Sequence, residues 1–412
     1  MKNLQFLALA ILLLGCDSGS DKDPYFHGDP DPVDPDCTSV RLTAYNASSG
    51  GWCEYDRTST VLPDFVRSGM TLAIAEPWNG GSYEGEPGEA CGECWEIDTI
   101  YETQTVMVHD LCPIEGNPLC SGWYFHFDLA SEAAAALGGG GLDAAVARRV
   151  PCPVTGNIHV QVNDWNQWGY VRVAFINHTI PVRTAEVQFT SLGTWHPMER
   201  SGGAWHLLDH PSPAAQDAIL FRITSARGET VISENPVPLM DPGKFFDTGV
   251  QFVDTGEAAT GECLFYPPAD VYHDSWGGID QVKWQPNPWG DATVSETSSD
   301  CYDGSASCLA VRNMEQWGGM HIYYRQEFPP STFTALSFWI RAVSGSGTLT
   351  VALSRDGERC TEHDIAVDNE WTQVSLDPAV DCAGFPFING ITFSNTSPEF
   401  PFNLDEIHFD LP

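Results

Sequence analysis

The chain has 412 residues with 56 acidic and 19 basic side chains, a formal net charge of −37 at pH 7 and a pI near 4.3. This charge should repel nucleic acids and polyanionic polymers and leaves neutral glycans as compatible partners, although acidity can also serve solubility alone. The length predicts two to four domains, and no internal apolar run is long enough for a transmembrane helix.

The N-terminus has the features of an export signal. An apolar stretch from Leu4 to Leu14 ends in Leu-Gly-Cys16, which has the form of a bacterial lipobox, where Cys16 would become the lipidated first residue. The alternative is plain secretion with an incidental cysteine. We expect a signal peptide at 1–16 and an acidic, proline-rich tether at 17–36. The protein is then lipid-anchored at the cell surface or outer membrane, or secreted.

Thirteen cysteines are present, and setting Cys16 aside leaves twelve. An even number in an exported protein indicates disulfides rather than metal thiolates.

The rest of the chain is predicted to be mainly β, because short β-branched and aromatic runs alternate with Gly, Pro, Asn and Asp. A first unit is expected at 37–153. In it, a strand of period two places His126 and Asp128 on one face and Phe127 on the other. The one clear helix is predicted to start at Ser131 as its N-cap.

Two further β units follow. Alternating strands predict a small immunoglobulin-like β-sandwich at 154–242 and a second, jelly-roll β-sandwich at 263–412. Residues 243–262 are predicted to form a linker.

Five motifs of the first unit occur in a characteristic order and spacing. They are Thr43-Ala44-Tyr45-Asn46 with Gly50-Gly51-Trp52-Cys53, Ala90-Cys91-Gly92-Glu93-Cys94, His109-Asp110-Leu111-Cys112, His126-Phe127-Asp128-Leu129 and Arg148-Arg149-Val150-Pro151-Cys152. Together with Asn177-His178 and Pro181-Val182 of the second unit, they make residues 40–242 resemble a bacterial expansin. This implies a six-stranded double-psi β-barrel related to glycoside hydrolase family 45, followed by a cellulose-binding sandwich. It also implies cellulose and related β-glucans as partners, with no required cofactor. We expect a monomer.

The resemblance implies three disulfides, Cys53–Cys91, Cys94–Cys152 and Cys112–Cys120. Proximity in the sequence indicates Cys301–Cys308 and Cys360–Cys382. Subtraction then leaves Cys37–Cys263.

The same resemblance assigns the candidate site. Asp128 corresponds to the essential acid of the family and Asp110 to a second aspartate of the groove; the residues expected to bind the glycan are Thr43, Tyr45, Asn46 and His126. The alternative for Asp128 is a structural role at the start of the following helix.

Hydrolytic relatives carry a base aspartate on the first strand, where this chain has the neutral amide of Asn46. Glu54 and Asp56 are the nearby candidates for a substitute base, unless they are solvated loop charges. Because hydrolysis ordinarily needs two placed carboxyls, we expect non-hydrolytic loosening of cellulose-containing wall. The alternatives are an endoglucanase, a peptidoglycan lytic enzyme of the barrel superfamily, or a purely adhesive protein.

Aromatic rings should hold the polymer. Trp165, Trp168, Tyr170 and Trp205 are expected to stack on cellulose from the second unit, unless these rings are buried, whereas Trp195 is expected in the core. In the third unit Trp289 and Trp317 lie in predicted loops and would make it a carbohydrate-binding module. Trp339 and Trp371 are expected to be buried. Asp274 and Asp405 are candidate calcium ligands, with ordinary surface acids as the alternative.

Overall fold

The computed structural model describes residues 37–47, 50–56, 59–79, 88–115, 117–120, 125–139, 144–166, 168, 170–207, 218–238, 243–253, 263, 265, 267–279 and 282–411. The predicted signal peptide, Cys16 and the tether lie outside these residues. Within the described ranges, no helix is both long and apolar enough to cross a membrane.

The first unit is a closed six-stranded barrel, as predicted. Its strands are β1 Thr38–Tyr45, β2 Thr71–Ala75, β3 Cys94–Asp98, β4 Thr103–Cys112, β5 His126–Ala130 and β6 Ala144–Val150, in the order β1-β5-β2-β4-β3-β6. The pairs β1–β5 and β2–β4 are parallel and the other four are antiparallel. Two short helices accompany it, α1 Asp64–Arg67 and α2 Ser131–Ala136.

Strand alternation in β5 holds as predicted. Phe127 and Leu129 are fully buried in the barrel core, while Asp128 lies half-buried on the opposite face. The prediction that Ser131 caps the next helix is wrong, because Ala130 occupies the N-cap and Ser131 is the first helical residue. The Ser131 hydroxyl instead donates to the carbonyl of Tyr45 at 3.1 Å.

The second unit is a sandwich of two five-stranded sheets. Its strands are β7 His159–Trp165, β8 Val171–Ile176, β9 Val182–Phe189, β10 Trp195–Pro197, β11 Glu199–Ser201, β12 Ala204–Leu207, β13 Ala218–Ser225, β14 Thr230–Ile232, β15 Val237–Pro238 and β16 Phe245–Asp247. One sheet has the order β10-β9-β13-β14 with β15 on β13, and the other β11-β12-β8-β7-β16. The predicted linker starts too early, because β16 pairs with β7 and Phe252 lies in the sandwich core.

The third unit is a larger β-sandwich. Its strands are β17 Asp270–His273, β18 Ser275–Trp276, β19 Gly278–Ile279, β20 Val282–Lys283, β21 Gln285–Trp289, β22 Thr293–Thr297, β23 Cys308–Arg312, β24 Gly319–Phe328, β25 Ala335–Ala342, β26 Gly347–Arg355, β27 Glu358–Arg359, β28 His363–Val367, β29 Thr372–Leu376, β30 Ile388–Asn395 and β31 Phe402–Asp410, with helix α3 Pro378–Asp381. A seven-stranded sheet contains β17, β18, β22, β23, β25, β29 and β31. The facing six-stranded sheet contains β21, β24, β26, β27, β28 and β30.

All six predicted disulfides are confirmed. One of them, Cys37–Cys263, joins the residue just before β1 to the start of the third unit. The β3–β4 turn adds noncovalent contacts to this junction. The ring of Tyr101 meets that of Phe387 edge-on with centroids 5.8 Å apart, and Asp98 accepts the backbone N–H of Phe265 at 2.8 Å. The third unit is therefore held against the barrel by a covalent bond and by packing.

Candidate functional site

Three of the candidate residues, Thr43, Asp128 and Asp110, lie in one row across four barrel strands. Thr43 on β1 is the register partner of Asp128 on β5, and Ala73 on β2 is the partner of both Asp128 and Asp110 on β4. Adjacent strands lie about 4.8 Å apart, so the two aspartates sit about two strand spacings from each other. The structure thus brings together the acids that the sequence placed far apart.

Asp128 is half-buried and in close contact with one hydroxyl. Its Oδ1 lies 2.6 Å from Oγ1 of Thr43. Burial raises the pKa of Asp128, the Thr43 hydroxyl opposes that rise, and the nearby Asp110 charge adds to it. The net shift favours a carboxyl that keeps its proton longer than a solvated aspartate.

His126 lies fully buried beneath the groove. Its Nε2 is 2.9 Å from Oγ1 of Thr43, and its Nδ1 is 3.5 Å from Sγ of Cys120. Burial, together with Arg41, lowers the pKa of His126 to about 4. The ring is therefore neutral at physiological pH and acts from below the groove rather than at its surface.

Asp110 accepts hydrogen bonds from residues of the groove wall. Its Oδ1 accepts the backbone N–H groups of Trp52 at 2.6 Å and Leu111 at 2.9 Å, and its Oδ2 accepts the hydroxyl of Tyr45 at 3.3 Å. A carboxylate has about four acceptor positions, so these three donors occupy most of its capacity. Asp110 thereby fixes the loop after β1 and the orientation of the Tyr45 ring.

The two candidate substitute bases are held at the junction with the second unit. Glu54 forms an ion pair with Arg172 and also accepts the Asn163 amide at 2.9 Å. The backbone N–H of Asp56 donates to Gln161 at 3.1 Å. Asn46 is exposed just after β1, and its side-chain oxygen lies 3.1 Å from the Ser131 hydroxyl oxygen, which is also 3.1 Å from the carbonyl of Tyr45.

A pocket of about 680 Å³ continues the groove onto the second unit. Its lining residues are Gly50, Gly51, Glu54, Asp110, Gln161, Val162, Asn163 and Gly243. Sequence reasoning missed Gln161 and Asn163. Their outward position on β7 was readable from strand alternation, but their approach to the barrel depends on how two domains pack.

The four candidate aromatic rings of the second unit differ in their solvent exposure. Trp168 is 68% exposed in the turn after β7, while Trp165 and Tyr170 are half-buried. The expectation that Trp205 forms part of the surface is wrong. Trp205 is only 4% exposed because it packs in the sandwich core, with the Arg200 guanidinium 4.2 Å from its ring centroid.

Trp195, expected in the core, is instead half-exposed on β10, where the Arg222 guanidinium lies 4.9 Å from its ring centroid.

In the third unit Trp289 and Trp317 form one corner. Trp317 is 72% exposed and has a φ of 74°, a left-handed conformation that is strained for a bulky side chain. Its N–H donates to the carbonyl of Asn395 at 2.8 Å, and its own carbonyl accepts the indole N–H of Trp289 at 3.3 Å. The local bonds hold the exposed ring of Trp317 away from the core.

This corner adjoins a polar face of the six-stranded sheet. The outward side chains of its central strands are small and mostly hydroxylated, and they are buried although they face away from the core: Thr350, Ala352, Ser354, Thr392 and Ser394. His321 and Arg359 lie over them, bonded to Ser354 at 3.1 Å and Ser394 at 2.6 Å. Hydroxyls at a spacing of two were the sequence signal for this polar face.

Trp339 and Trp371, predicted to be buried, are half-exposed on the opposite sheet. The ring of Trp339 stacks on Tyr302 with centroids 3.9 Å apart, and Trp371 meets the same tyrosine edge-on. Neither belongs to the core cluster of this unit, because both side chains point out from the seven-stranded sheet.

The calcium candidates are bound by backbone donors. Asp405 is fully buried, and its two oxygens accept the N–H groups of Tyr302 at 2.8 Å and Glu406 at 2.9 Å. Asp274 accepts the N–H of Ser307 at 2.8 Å. This donor set does not fit the six to eight oxygens that calcium prefers, and the metal stays a prediction.

Two groups of three side chains among the described residues are close enough to hold a metal: Cys112, Cys120 and His126, and Cys301, Cys308 and Asp405. In both groups the sulfurs belong to disulfides, which cannot serve as thiolate ligands.

Part of the second unit is similar to a known domain family. Residues 157–238 match the model of the expansin C-terminal domain. Expansin-like protein 2 of Dictyostelium discoideum is 26% identical over 399 residues, covering 92% of this chain and 89% of that protein.

Two solved structures were also compared. Apo Clavibacter michiganensis expansin has a TM-score of 0.42 and 23% identity, covering 53% of this chain and 100% of its own. A family 11 carbohydrate-binding module of a Clostridium thermocellum cellulosomal cellulase has a TM-score of 0.26 and 16% identity, covering 35% of this chain and 94% of its own. The chain is thus similar to the expansin C-terminal domain over residues 157–238 and to an expansin-like protein over almost its whole length.

Proposed function

We propose that this protein binds cellulose and related β-glucans and loosens wall material that contains them, without cleaving the polymer. Its relatives are named as expansins and expansin-like proteins, which supports this class of function. The net charge of −37 further favours a neutral polymer over a polyanionic one.

The proposal that the polymer is not cleaved rests on the different environments of the two groove aspartates. Burial keeps Asp128 suited to donating a hydrogen bond or proton to a glycosidic oxygen. Asp110, which would have to activate water, is already bonded to Tyr45, Trp52 and Leu111. An acid without a free partner base grips a glycan but does not complete hydrolysis.

Binding energy would come from two further surfaces. In the second unit, the exposed ring of Trp168 adjoins half-buried Trp165 and Tyr170. In the third unit, the exposed ring of Trp317 offers a stacking surface beside the polar face over which His321 and Arg359 lie.

We also propose that the chain acts outside the cell as a monomer without a required cofactor. The leader and Cys16 support export and lipid anchoring, and six disulfides are compatible with an oxidising location.

Hydrolysis is the second candidate, and one observation favours it. Asp110 and Asp128 lie in one row about two strand spacings apart, a separation close to the roughly 6.5–9.5 Å between the carboxyls of inverting enzymes.

Paired assays on cellulose filter paper test the proposal, one for mechanical weakening and one for reducing ends. We expect weakening without release of sugar. Asp128→Asn should reduce weakening about tenfold or more, the effect of losing a strong hydrogen bond, while cellulose binding stays within about twofold. Glu132→Gln removes an exposed charge nearby and serves as the control.

Steady production of soluble sugar that Asp128→Asn abolishes would establish the hydrolase instead. Weakening that persists undiminished in Asp128→Asn would leave only an adhesive protein.

A further inference from the structure

The β3–β4 turn of the barrel, which contacts the third unit, is held from both sides. Towards the third unit, Ile100 packs against the hydrophobic core of that unit, and the ring of Tyr101 meets Phe387. Towards the barrel, the hydroxyl oxygen of Thr99 accepts the backbone N–H of Tyr101 at 3.1 Å and lies 3.0 Å from the carbonyl of Leu137. Because a disulfide crosses the same junction, we expect the barrel and the third unit to move as one rigid body.

The groove lies at the end of the barrel that is far from this turn. Strand β4 starts at Thr103, directly after the turn, and Asp110 follows seven residues later. At the rise of a β-strand, this places Asp110 roughly 20 Å from the junction. Thr43 and Asp128 share its row, so the groove as a whole lies away from the third unit.

Trp317 lies at the end of the third unit that is far from the same junction. Phe387 directly precedes β30, and the carbonyl of Asn395, the last residue of that strand, accepts the N–H of Trp317. The length of β30 therefore places Trp317 roughly 20 Å from the contact with Tyr101. Strand β24 has the same orientation. Burial raises the pKa of the Tyr101 hydroxyl and the nearby Glu327 charge adds to the rise, and Glu327 is near the end of β24, whereas Trp317 precedes its start.

The groove and the Trp317 ring are thus at opposite ends of the body that the barrel and the third unit form. Two close-packed domains cannot interpenetrate, so the strands β4 and β30 diverge from the junction. The separation of the two regions is then on the order of 30–40 Å. A sugar unit in the groove is out of reach of the Trp317 ring.

The second unit, in contrast, continues the groove. The pocket beside Asp110 is also lined by Asn163 on β7, and Trp165 follows two residues later on the same strand. The exposed ring of Trp168 is in the turn after β7. One segment of polymer can therefore lie along the groove and the second unit, which leaves the Trp317 ring for another segment.

We propose that the protein holds two separate segments of β-glucan at once, one along the groove and the second unit and one at the Trp317 end of the third unit. The class of polymer rests on the proposed function. Trp317 suits the second site because its ring is 72% exposed and local hydrogen bonds hold it in a strained backbone conformation. Since the junction is rigid, the molecule keeps the two segments apart and bridges them.

Co-aggregation of two populations of cellulose particles, each with its own dye, tests for bridging by the full-length protein. We expect the wild type to join both colours in mixed aggregates. Trp317→Ala and Trp168→Ala should each reduce mixed aggregation about fivefold to tenfold, which is the effect of one stacked ring at one site. Val380→Ala removes an apolar side chain of similar exposure and should bridge like the wild type.

A mixture of the two tryptophan variants separates bridging by one molecule from the sum of two binding activities. Each variant keeps only one complete site, so an equimolar mixture should aggregate the particles no better than either variant alone. A mixture that bridges like the wild type would overturn the proposal. Undiminished bridging by Trp317→Ala would overturn it as well, because the particles would then be joined without the third unit.

Adsorption to cellulose, measured in parallel, distinguishes failure of the bridge from failure of the proposed function. If the wild type adsorbs and weakens filter paper but joins no particles, the bridge is wrong and the proposed function stands. If the wild type does not adsorb to cellulose, both are wrong.

Discussion

At the scale of single residues, the packing of the barrel against the second unit depends on a glycine, which has no side chain. Gly92 has a φ of +79°, and a Cβ placed on it would lie 2.3 Å from Cε1 of His178. His178 is buried and within 3.5 Å of the Tyr55 hydroxyl, so the imidazole has no room to retreat. The close approach of the two domains therefore requires glycine at this position.

A comparison of two alanine variants tests this requirement. Gly156 has the same φ of +79° but nothing within 4 Å of an added Cβ. Gly156→Ala should cost about 1 kcal/mol of unfolding free energy for the left-handed backbone alone. Gly92→Ala should cost about 1–3 kcal/mol more, because overpacking adds to the backbone term. Denaturant unfolding measures both, and equal losses would contradict the packing argument.

At the scale of elements, strands provide the polar parts of the candidate binding surfaces, and turns provide the exposed aromatic rings. The polar face of the third unit comes from the outward hydroxyls of β26 and β30, whereas Trp317 and Trp168 lie in the connections before β24 and after β7. Rigid strands fix the hydrogen-bonding groups, and loops place the rings at the rim.

The exposed ring of Trp317 predicts an effect on the binding of short cello-oligosaccharides. Trp317→Ala should weaken their binding about fivefold to tenfold, since one stacked ring contributes about 1 kcal/mol or slightly more. Isothermal titration calorimetry measures the change. Val380→Ala removes an equally exposed apolar side chain on α3 and should bind like the wild type. If both variants bind alike, the ligand does not contact the Trp317 ring.

The element scale also shows what the sequence could predict. The alternation of Phe127 with His126 and Asp128 was readable because one face of β5 is a closed core. The position of Trp205 was not readable, because Ala204–Leu207 is too short a strand to show a pattern. Trp205 packs in the sandwich core, and the adjoining Gly203 packs against the backbone of Cys53 in the barrel.

The groove itself was predictable only as a set of residue types. The motifs identified Asp110 and Asp128, but the three hydrogen bonds that occupy Asp110 depend on where the Trp52 loop packs. The β16 strand was similarly assigned to a linker, because Phe245–Asp247 is too short to show a pattern before its partner β7 is known.

At the scale of the whole molecule, two buried histidines should make stability depend on pH. Burial lowers the pKa of both His126 and His178 to about 4, against 6.5 for the unfolded chain. The unfolded state therefore binds more protons between these values. The stabilisation is fully present above about pH 6.5 and is lost as the pH falls towards 4, at roughly 3 kcal/mol for each ring.

Thermal unfolding from pH 7 to pH 4 checks this dependence. Burial raises the pKa values of Asp128 and Asp405, so their titration changes the stability in the opposite direction. The wild type is therefore compared with a variant that retains both acids. His178→Gln keeps a polar group beside Tyr55 but cannot titrate in this range, and its melting temperature should fall less steeply with acid. Parallel curves would show that folding does not lower the pKa of His178.

The Cys37–Cys263 bond determines how mechanical tension would travel through the molecule. Its sulfurs close a covalent loop with a sequence separation of 226 residues that contains both the barrel and the second sandwich. When the chain is pulled from the segment before Cys37 while the third unit holds a fibre, the load crosses the sulfur–sulfur bond directly. The barrel and its groove lie outside the path of the force and keep their shape under strain.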